Sequence, residues 1–332
     1  MFNGASSLNW SDANLVKKFS AQRAIRLGTP AAGTSPSPAA PVTTWTSLNR
    51  WVAENRISAP HRLSDTPVAT YAVSSANGTM VLEIGSRDAT WNDTEIQLGF
   101  APEFIDDQVF VHGVDLQKNF KPLLSESPPA FGNRVIVIDP GHGGANVGTH
   151  SVLDGRFEKE FTLDWALRLA PLLEANGWQV FLTRTSDVDV ALSNRVAFAE
   201  AHHADLFISL HFNSALNPGQ KPAGLETYCL TPTGMPSTLA RGPDIWSQVF
   251  PNNAFDDQNL QVAVRLQSAI WRTTGLEDRG VNRARFIGVL HRQHCPAVLI
   301  EGGYLSNSHE AKLIENPEFR QKLAQAVADA LR

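Results

Sequence analysis

Three segments of the chain bring a histidine or a glutamate to the end of an apolar run, and a fourth begins a helical pattern with a glutamate. They hold His142 after RVIVID, His211 after FISL, Glu301 at the end of PAVLIE, and Glu158 in FEKEF at the start of a helical pattern. The carboxyl ends of parallel strands meet at one edge of an open α/β sheet, where such folds build their sites. We therefore expect these side chains to lie close together.

Two neutral imidazoles and a carboxylate form the three-ligand set of many catalytic zinc sites, with a fourth position left for water. The metal lowers the pKa of that water and polarises a carbonyl, and a further carboxylate can move the proton. The set therefore indicates metal-assisted amide hydrolysis. Each member alone also has a simpler explanation. Glu158, for example, could be an ordinary acid that is stabilised by the dipole at the start of a helix. Glu160, two residues further on, faces a different side of that helix.

Other polar residues near these segments have two interpretations each. Asp139 either orients a ligand imidazole or pins its own glycine-rich turn. Asn213 and Arg283 are candidates for substrate binding, with a structural role as the alternative. The remaining histidines near these segments are expected outside the metal site: His202, His203, His291 and His294.

Strand-like and helical segments alternate after residue 130, which predicts an α/β fold. The fold class is a mostly parallel twisted sheet flanked by helices on both faces, preceded by a small β-rich module. The expected strands are 134–139, 178–183, 205–210, 225–230 and 297–301, and the expected helices are 158–176, 191–202, 258–274 and a C-terminal pair.

Composition divides the chain into three parts: residues 1–44, an N-terminal segment with a Pro/Ser/Ala linker; 45–130, a small β-rich accessory module; and 131–332, the catalytic domain. In the module, Asn77-Gly78 and Asn92-Asp93 each separate two strand-like runs, as in β-hairpins. Residues 231–257, rich in Pro, Gly and Asn, predict a surface insertion.

Charge and hydropathy exclude several classes of protein. The net charge is −5 with no basic block, which argues against nucleic-acid binding, and no apolar run is long enough for a membrane span. The first residues lack the charged head and apolar stretch of a signal peptide. Cys229 and Cys295 lie in apolar contexts and are expected to be buried thiols, with a disulfide as the alternative.

From Arg134 to the C-terminus the chain resembles the zinc-dependent N-acetylmuramoyl-L-alanine amidases of the Amidase_3 family. The shared motifs are VIVIDPGHGG, the EK pair at residues 158–159, ADLFISLHFNS, GLETYCL, DRGVNRARFIGVL and PAVLIEGGYLSN. The resemblance implies Zn²⁺ held by His142, Glu158 and His211, with Glu301 as the catalytic base. It also implies cleavage of peptidoglycan at the amide between N-acetylmuramic acid and L-Ala.

A wall substrate implies a periplasmic or secreted enzyme, with a cell-wall or divisome regulator as a further candidate partner. Two alternatives stay open: a zinc peptidase that cuts within wall peptides, and a non-catalytic wall-binding or regulatory protein. The module loosely resembles the N-terminal domain of copper amine oxidases, on the pattern GTMVLEIGSRDATWNDTEIQL alone.

Overall fold

Short strands joined by tight turns form the first part of the structure. The computed structural model describes residues 44–65, 68–215, 217 and 220–332, so residues 1–43, with most of the expected linker, lie outside the described part. The strands are β1 (Trp45–Ser47), β2 (His61–Ser64), β3 (Thr70–Ser75), β4 (Gly78–Glu83), β5 (Asp88–Trp91), β6 (Thr94–Gln97), β7 (Glu103–Ile105) and β8 (Gln108–His112). Two helices, α1 (Leu48–Glu54) and α2 (Gly113–Asp115), accompany them, and a π-helix, Leu116–Ser125, follows α2.

The two predicted hairpins are present. Asn92 and Asp93 join β5 to β6 with φ angles of 47° and 65°, the left-handed conformation that two-residue hairpin turns require. The other hairpin turns at Ala76 and Asn77, one residue before the predicted position, because Ser75 already pairs with Gly78.

The second part has the predicted alternation of strands and helices. Its strands are β9 (Val135–Pro140), β10 (Gln179–Leu182), β11 (Leu206–Asn213), β12 (Leu225–Cys229), β13 (Asp278–Arg283) and β14 (Ala297–Tyr304). Its helices are α3 (Glu158–Ala175), α4 (Leu192–Ala201), α5 (Asp256–Thr274), α6 (Gly288–His291), α7 (Ser308–Glu315) and α8 (Pro317–Ala330). Strand β13 and helix α6 were not predicted, since DRGVNR is polar and α6 is a single turn.

The strands form a mixed, mostly parallel sheet with helices on both faces, which confirms the predicted fold class. The order is β10-β9-β11-β14-β12-β13, and among these pairs only β12–β14 is antiparallel. Helices α3, α5 and α8 pack on one face, and α4 and α6 lie with a smaller apolar cluster on the other. In the described part of the chain, no helix is long and apolar enough to cross a bilayer.

The sheet does not stop at the expected boundary near residue 130. Strand β6 pairs with β13 at Ile96 and Val281, so that β6-β5-β4-β3-β2 continues the catalytic sheet to eleven strands. A buried polar contact also joins the two parts: Arg283 Nη2 donates to Asn119 Oδ1 at 2.8 Å, and Asn119 Nδ2 donates to Asp115 Oδ1 at 2.7 Å. Strands β2 to β6 are therefore part of the catalytic sheet, whereas β1, β8 and β7 form a separate three-stranded sheet.

The predicted insertion is a loop followed by a short 3-10 helix, Pro251–Phe255, that leads into α5. Arg285 holds this loop through an ion pair with Asp244 (2.5 Å) and a hydrogen bond to the carbonyl of Pro232 (2.7 Å). Cys229 and Cys295 are both buried and free, so the buried-thiol prediction is confirmed.

Trp165 on α3 is the largest fully buried side chain beneath the site. It is 0% exposed, its ring centroid lies 5.4 Å from that of Phe212, and it packs against Gly302. Trp165→Ala is expected to lower the free energy of unfolding by about 3–5 kcal/mol, because it removes apolar contacts and leaves a cavity. Leu167→Ala, on the same helix but 47% exposed, should change it by less than about 1 kcal/mol. Denaturant titration measures both, and equal losses would contradict the packing role.

Candidate metal centre and active site

The structure brings the four predicted residues to one edge of the sheet. The turn after β9 carries His142, the first position of α3 carries Glu158, β11 carries His211 and β14 carries Glu301. His211 and Glu301 are register partners in neighbouring parallel strands, so their side chains leave the sheet at the same level.

The prediction that these two residues end their strands was wrong. Strand β11 continues to Asn213 and β14 to Tyr304, with a register shift after His211. The two glycines after Glu301 suggested a turn, but Gly303 adopts a φ of 120° and the backbone stays paired.

Three of the side chains form a compact group of potential metal ligands. Glu158 bridges the two imidazoles: its Oε2 lies 3.1 Å from His142 Nε2 and its Oε1 lies 2.9 Å from His211 Nδ1. One ligand atom from each residue lies within 4.8 Å of the others, and all three residues are buried. Within the described residues, no other cluster of three or more His, Cys, Asp or Glu side chains meets this geometry.

Backbone and side-chain donors fix the orientation of the group. The N–H groups of Thr149 and Phe212 donate to the two oxygens of Glu158 at 3.0 and 3.1 Å. His142 Nδ1 lies 2.8 Å from Asn146 Oδ1, which can only accept, so Nδ1 carries the proton and Nε2 keeps its lone pair for a ligand. Such partners set the tautomer of metal-binding histidines.

The electrostatics of the group favour an ionised carboxylate. Burial raises the pKa of Glu158, but the two imidazoles outweigh it and hold that pKa well below its usual range. Burial lowers the pKa of His142, yet Glu158 reverses the shift and raises it. At His211 burial prevails and the pKa is lowered. A buried anion with imidazole neighbours is a donor set suited to a cation.

Glycine is required where the ligands approach the backbone. A Cβ on Gly141 would overlap the His211 ring, and one on Gly148, whose φ is 71°, would lie 2.7 Å from His142 Cδ2. The glycines of the IDPGHGG motif and of the following loop therefore leave the volume that the ligand side chains occupy.

Two buried arginines brace the turn that carries His142. Arg195 Nη2 donates to the carbonyl of His142 at 2.7 Å, and its Nη1 pairs with Asp139 at 2.5 Å. Arg184 donates to the carbonyls of Pro140 and Gly141, both at 2.9 Å. These contacts support the turn-pinning interpretation of Asp139, and they hold His142 at a φ of 62°, a conformation that is unfavourable for this residue type.

Glu301 faces the ligand group from β14, and its Oε2 is buried without a hydrogen-bond partner in the described residues. Burial raises the pKa of Glu301 well above its usual value, and the charges of Glu158 and Glu226 raise it further. Glu226, on β12, is the register partner of Glu301 on its other side and accepts hydrogen bonds from Asn213 and Tyr228, both at 2.9 Å. Glu226 was not predicted as a site residue. It is nevertheless the one acid in the largely apolar run LETYCL, just as His211 is the one histidine in FISLHF.

A cavity opens onto the four residues. Asn213 lines it, with Ser214, Tyr228 and Phe286 among its neighbours. Arg283 does not: it is 1% exposed and donates to the carbonyl of Lys118 and to Asn119, at the junction with the N-terminal strands. The structure thus places Asn213 at the site and gives Arg283 a structural position.

The sequence matches the family model described as N-acetylmuramoyl-L-alanine amidase, Amidase_3, over residues 136–332, which is more than half of the chain. The chain belongs to this family. The matched range contains the four site residues and begins inside β9.

Individual N-acetylmuramoyl-L-alanine amidases are similar to about 60% of this chain. The N-acetylmuramoyl-L-alanine amidase AmiA of Escherichia coli is 31% identical over 222 residues, covering 60% of this chain and 75% of that protein. AmiC of Neisseria meningitidis is 32% identical over 223 residues, covering 60% of this chain and 52% of that protein. The crystal structure of the amidase from Clostridium difficile 630 has a TM-score of 0.51 at 30% identity, covering 60% of this chain and 96% of that one.

Gly141→Ala is expected to displace the His211 imidazole and to weaken metal binding at least tenfold, because the methyl group would occupy the place of the ring. Elemental analysis of dialysed protein measures the change, with His211→Ala as the reference for lost metal. Gly132→Ala is the control, since its Cβ would meet only Asp205 Oδ1, at 4.0 Å. Full metal occupancy in Gly141→Ala would contradict the packing argument.

Proposed function

We propose that this chain is a peptidoglycan hydrolase that cleaves the amide between N-acetylmuramic acid and the L-Ala of the stem peptide. The observation that carries the proposal is the buried His142–Glu158–His211 group opposite Glu301, in a chain of the amidase family. A wall-binding protein without activity needs no buried, unpartnered carboxylate in this place, since an unsatisfied polar atom costs stability.

The metal is proposed to be zinc. His142 Nε2, His211 Nδ1 and a carboxylate oxygen of Glu158 would hold it, and two nitrogens with one oxygen form a common donor set of catalytic zinc sites. When bound, zinc lowers the pKa of a water and polarises the scissile carbonyl. The remaining chemistry belongs to the side chains of this chain.

Glu301 is proposed to move the proton. Its carboxylate removes a proton from the attacking water, holds it, and delivers it to the nitrogen of L-Ala as the amide bond breaks. Its surroundings support the second half of this task, because burial and the neighbouring acids favour the protonated form. Glu226 is held in place by Asn213, Tyr228 and Arg279, whose Nε donates to Glu226 Oε1 at 2.8 Å.

Asn213 is proposed to orient the substrate. One hydrogen of its Nδ2 is used by Glu226, and its Oδ1 accepts from the N–H of Ser214 at 2.8 Å, which fixes the plane of the amide. The second Nδ2 hydrogen is then available to a substrate carbonyl in the cavity that Asn213 lines.

The remaining assignments follow from the substrate and from sequence. Peptidoglycan is the partner, with a cell-wall or divisome regulator as a second; the location is periplasmic or secreted. Residues 45–130 are proposed as an accessory module similar to the N-terminal domain of copper amine oxidases, a proposal supported by the hairpin at Asn92–Asp93. The catalytic part is taken as 131–332, with the insertion at about 231–257.

Mass spectrometry of digested sacculi tests which bond is cut. The zinc-loaded chain should release stem peptides with a free L-Ala amino terminus and leave intact N-acetylmuramic acid on the glycan. Fragments cut between two amino acids would favour the zinc peptidase, and unchanged sacculi would favour a binding protein.

Glu301→Gln is expected to keep the metal and to lower the rate of peptide release by about 10²–10⁴-fold, because general acid–base catalysis contributes that much. The rate on purified sacculi and the zinc content of the same preparation are measured together. Glu160→Gln, an exposed acid whose carboxylate accepts from the Phe157 N–H, should keep both. Near-normal activity of Glu301→Gln would remove it from the base position.

A further inference from the structure

A second open cavity adjoins the active-site cavity. The two share Leu239, Arg241 and Phe286 in their walls, so that a molecule bound at Glu301 can extend from one into the other. The wall of the second cavity comes largely from the insertion between β12 and α5, together with Arg285, His291 and Arg292.

The side chains that line this cavity carry an excess of positive charge. Asp244 is its acid, and Arg285 neutralises it with an ion pair at 2.5 Å. Arg241 and Arg292 are exposed, and neither forms an ion pair with an acid in the described part of the chain. His291 adds no charge at neutral pH, because burial lowers its pKa. Two cationic side chains are therefore left to face the cavity.

The cavity wall is held in shape before any ligand arrives. Arg285 Nη2 ties the loop through the carbonyls of Pro232 and Met235, at 2.7 and 2.5 Å. The Arg241 guanidinium lies over the Phe286 ring, 4.8 Å from its centroid, which limits its rotation. The His291 ring stacks on Phe250 with a centroid distance of 4.4 Å and an interplanar angle of 3°.

We propose that this cavity is the peptide subsite of the enzyme, in which Arg241, with Arg292 further along, binds free carboxylates of the stem peptide beyond L-Ala. The proposal rests on the proposed amidase function and adds the specificity of the same site. Guanidinium groups bind carboxylates with strong, directional hydrogen bonds.

The reach of the peptide fits this placement. An extended chain advances about 3.3–3.6 Å per residue, so a carboxylate on the residue after L-Ala lies roughly one to two residue lengths from the scissile amide. Arg241 lines both cavities and so lies where the first opens into the second, whereas Arg292 lines only the second. The glycan side of the substrate offers neutral hydroxyl and acetamido groups, which do not require two unpaired cations.

The test compares two synthetic substrates that differ in one group: N-acetylmuramoyl-L-Ala-D-Glu, whose α- and γ-carboxylates are both free, and N-acetylmuramoyl-L-Ala-D-isoglutamine, in which the α-carboxylate is an amide and the γ-carboxylate stays free. The zinc-loaded protein should cleave the free acid with a kcat/KM about tenfold higher, as expected for one charge-assisted contact. Arg241→Gln should bring the ratio of the two kcat/KM values close to one, and Arg241→Lys should restore part of it.

The ratio is the informative quantity, because Arg241 also lowers the pKa of Glu301 and its loss alters both rates alike. Arg62→Gln is the matched control: Arg62 lies over the rings of Tyr71 and Phe104, in the N-terminal strands, and should keep the wild-type ratio. Equal kcat/KM values in the wild type, or an unchanged ratio in Arg241→Gln, would overturn the subsite. Failure to cleave either substrate would instead refute the amidase function.

Discussion

The structure is organised around a buried negative charge. The Glu158 carboxylate is 2% exposed, and an ionised group at that depth is stable only with compensating partners. Two imidazoles and two backbone N–H groups supply them from three elements: His142 from the turn after β9, the Thr149 N–H from the following loop, and His211 with the Phe212 N–H from strand β11. The site is therefore also a structural junction. The carboxylate that would bind a cation is the group that all three segments contact.

Small residues and arginines make that junction geometrically feasible. Gly141 and Gly148 leave room for the ligand rings, and Arg184 and Arg195 use the carbonyls of the turn as acceptors. The turn that carries His142, a candidate metal ligand, thus has its buried carbonyl groups paired with arginine side chains. A turn this tightly braced has little freedom to move when substrate binds, which suits a site that must be preformed.

The fold class and the positions of His211 and Glu301 could be predicted because they depend on local patterns, whereas the choice of Glu158 as a ligand rests on the family resemblance. Apolar runs followed by His or Glu indicate strands that lead into a site, and the register of β11 and β14 puts His211 beside Glu301. Residues whose roles depend on tertiary contacts could not be predicted in the same way. Arg283 lies in a motif of the catalytic part, yet its guanidinium reaches Asn119, more than a hundred residues earlier in the chain. Likewise, nothing in the local sequence of Arg195 indicates that it supports His142.

The pairing of β6 with β13 has a consequence beyond architecture. A strand at the border of a sheet presents unpaired N–H and C=O groups that can recruit strands from other molecules. In this chain the N-terminal strands occupy that position beside β13, and Asp278 Oδ2 accepts from the Glu95 N–H at 2.9 Å to secure the contact. The N-terminal strands thus cover this border of the catalytic sheet, and β13 presents no open edge there with which a strand of another molecule could pair.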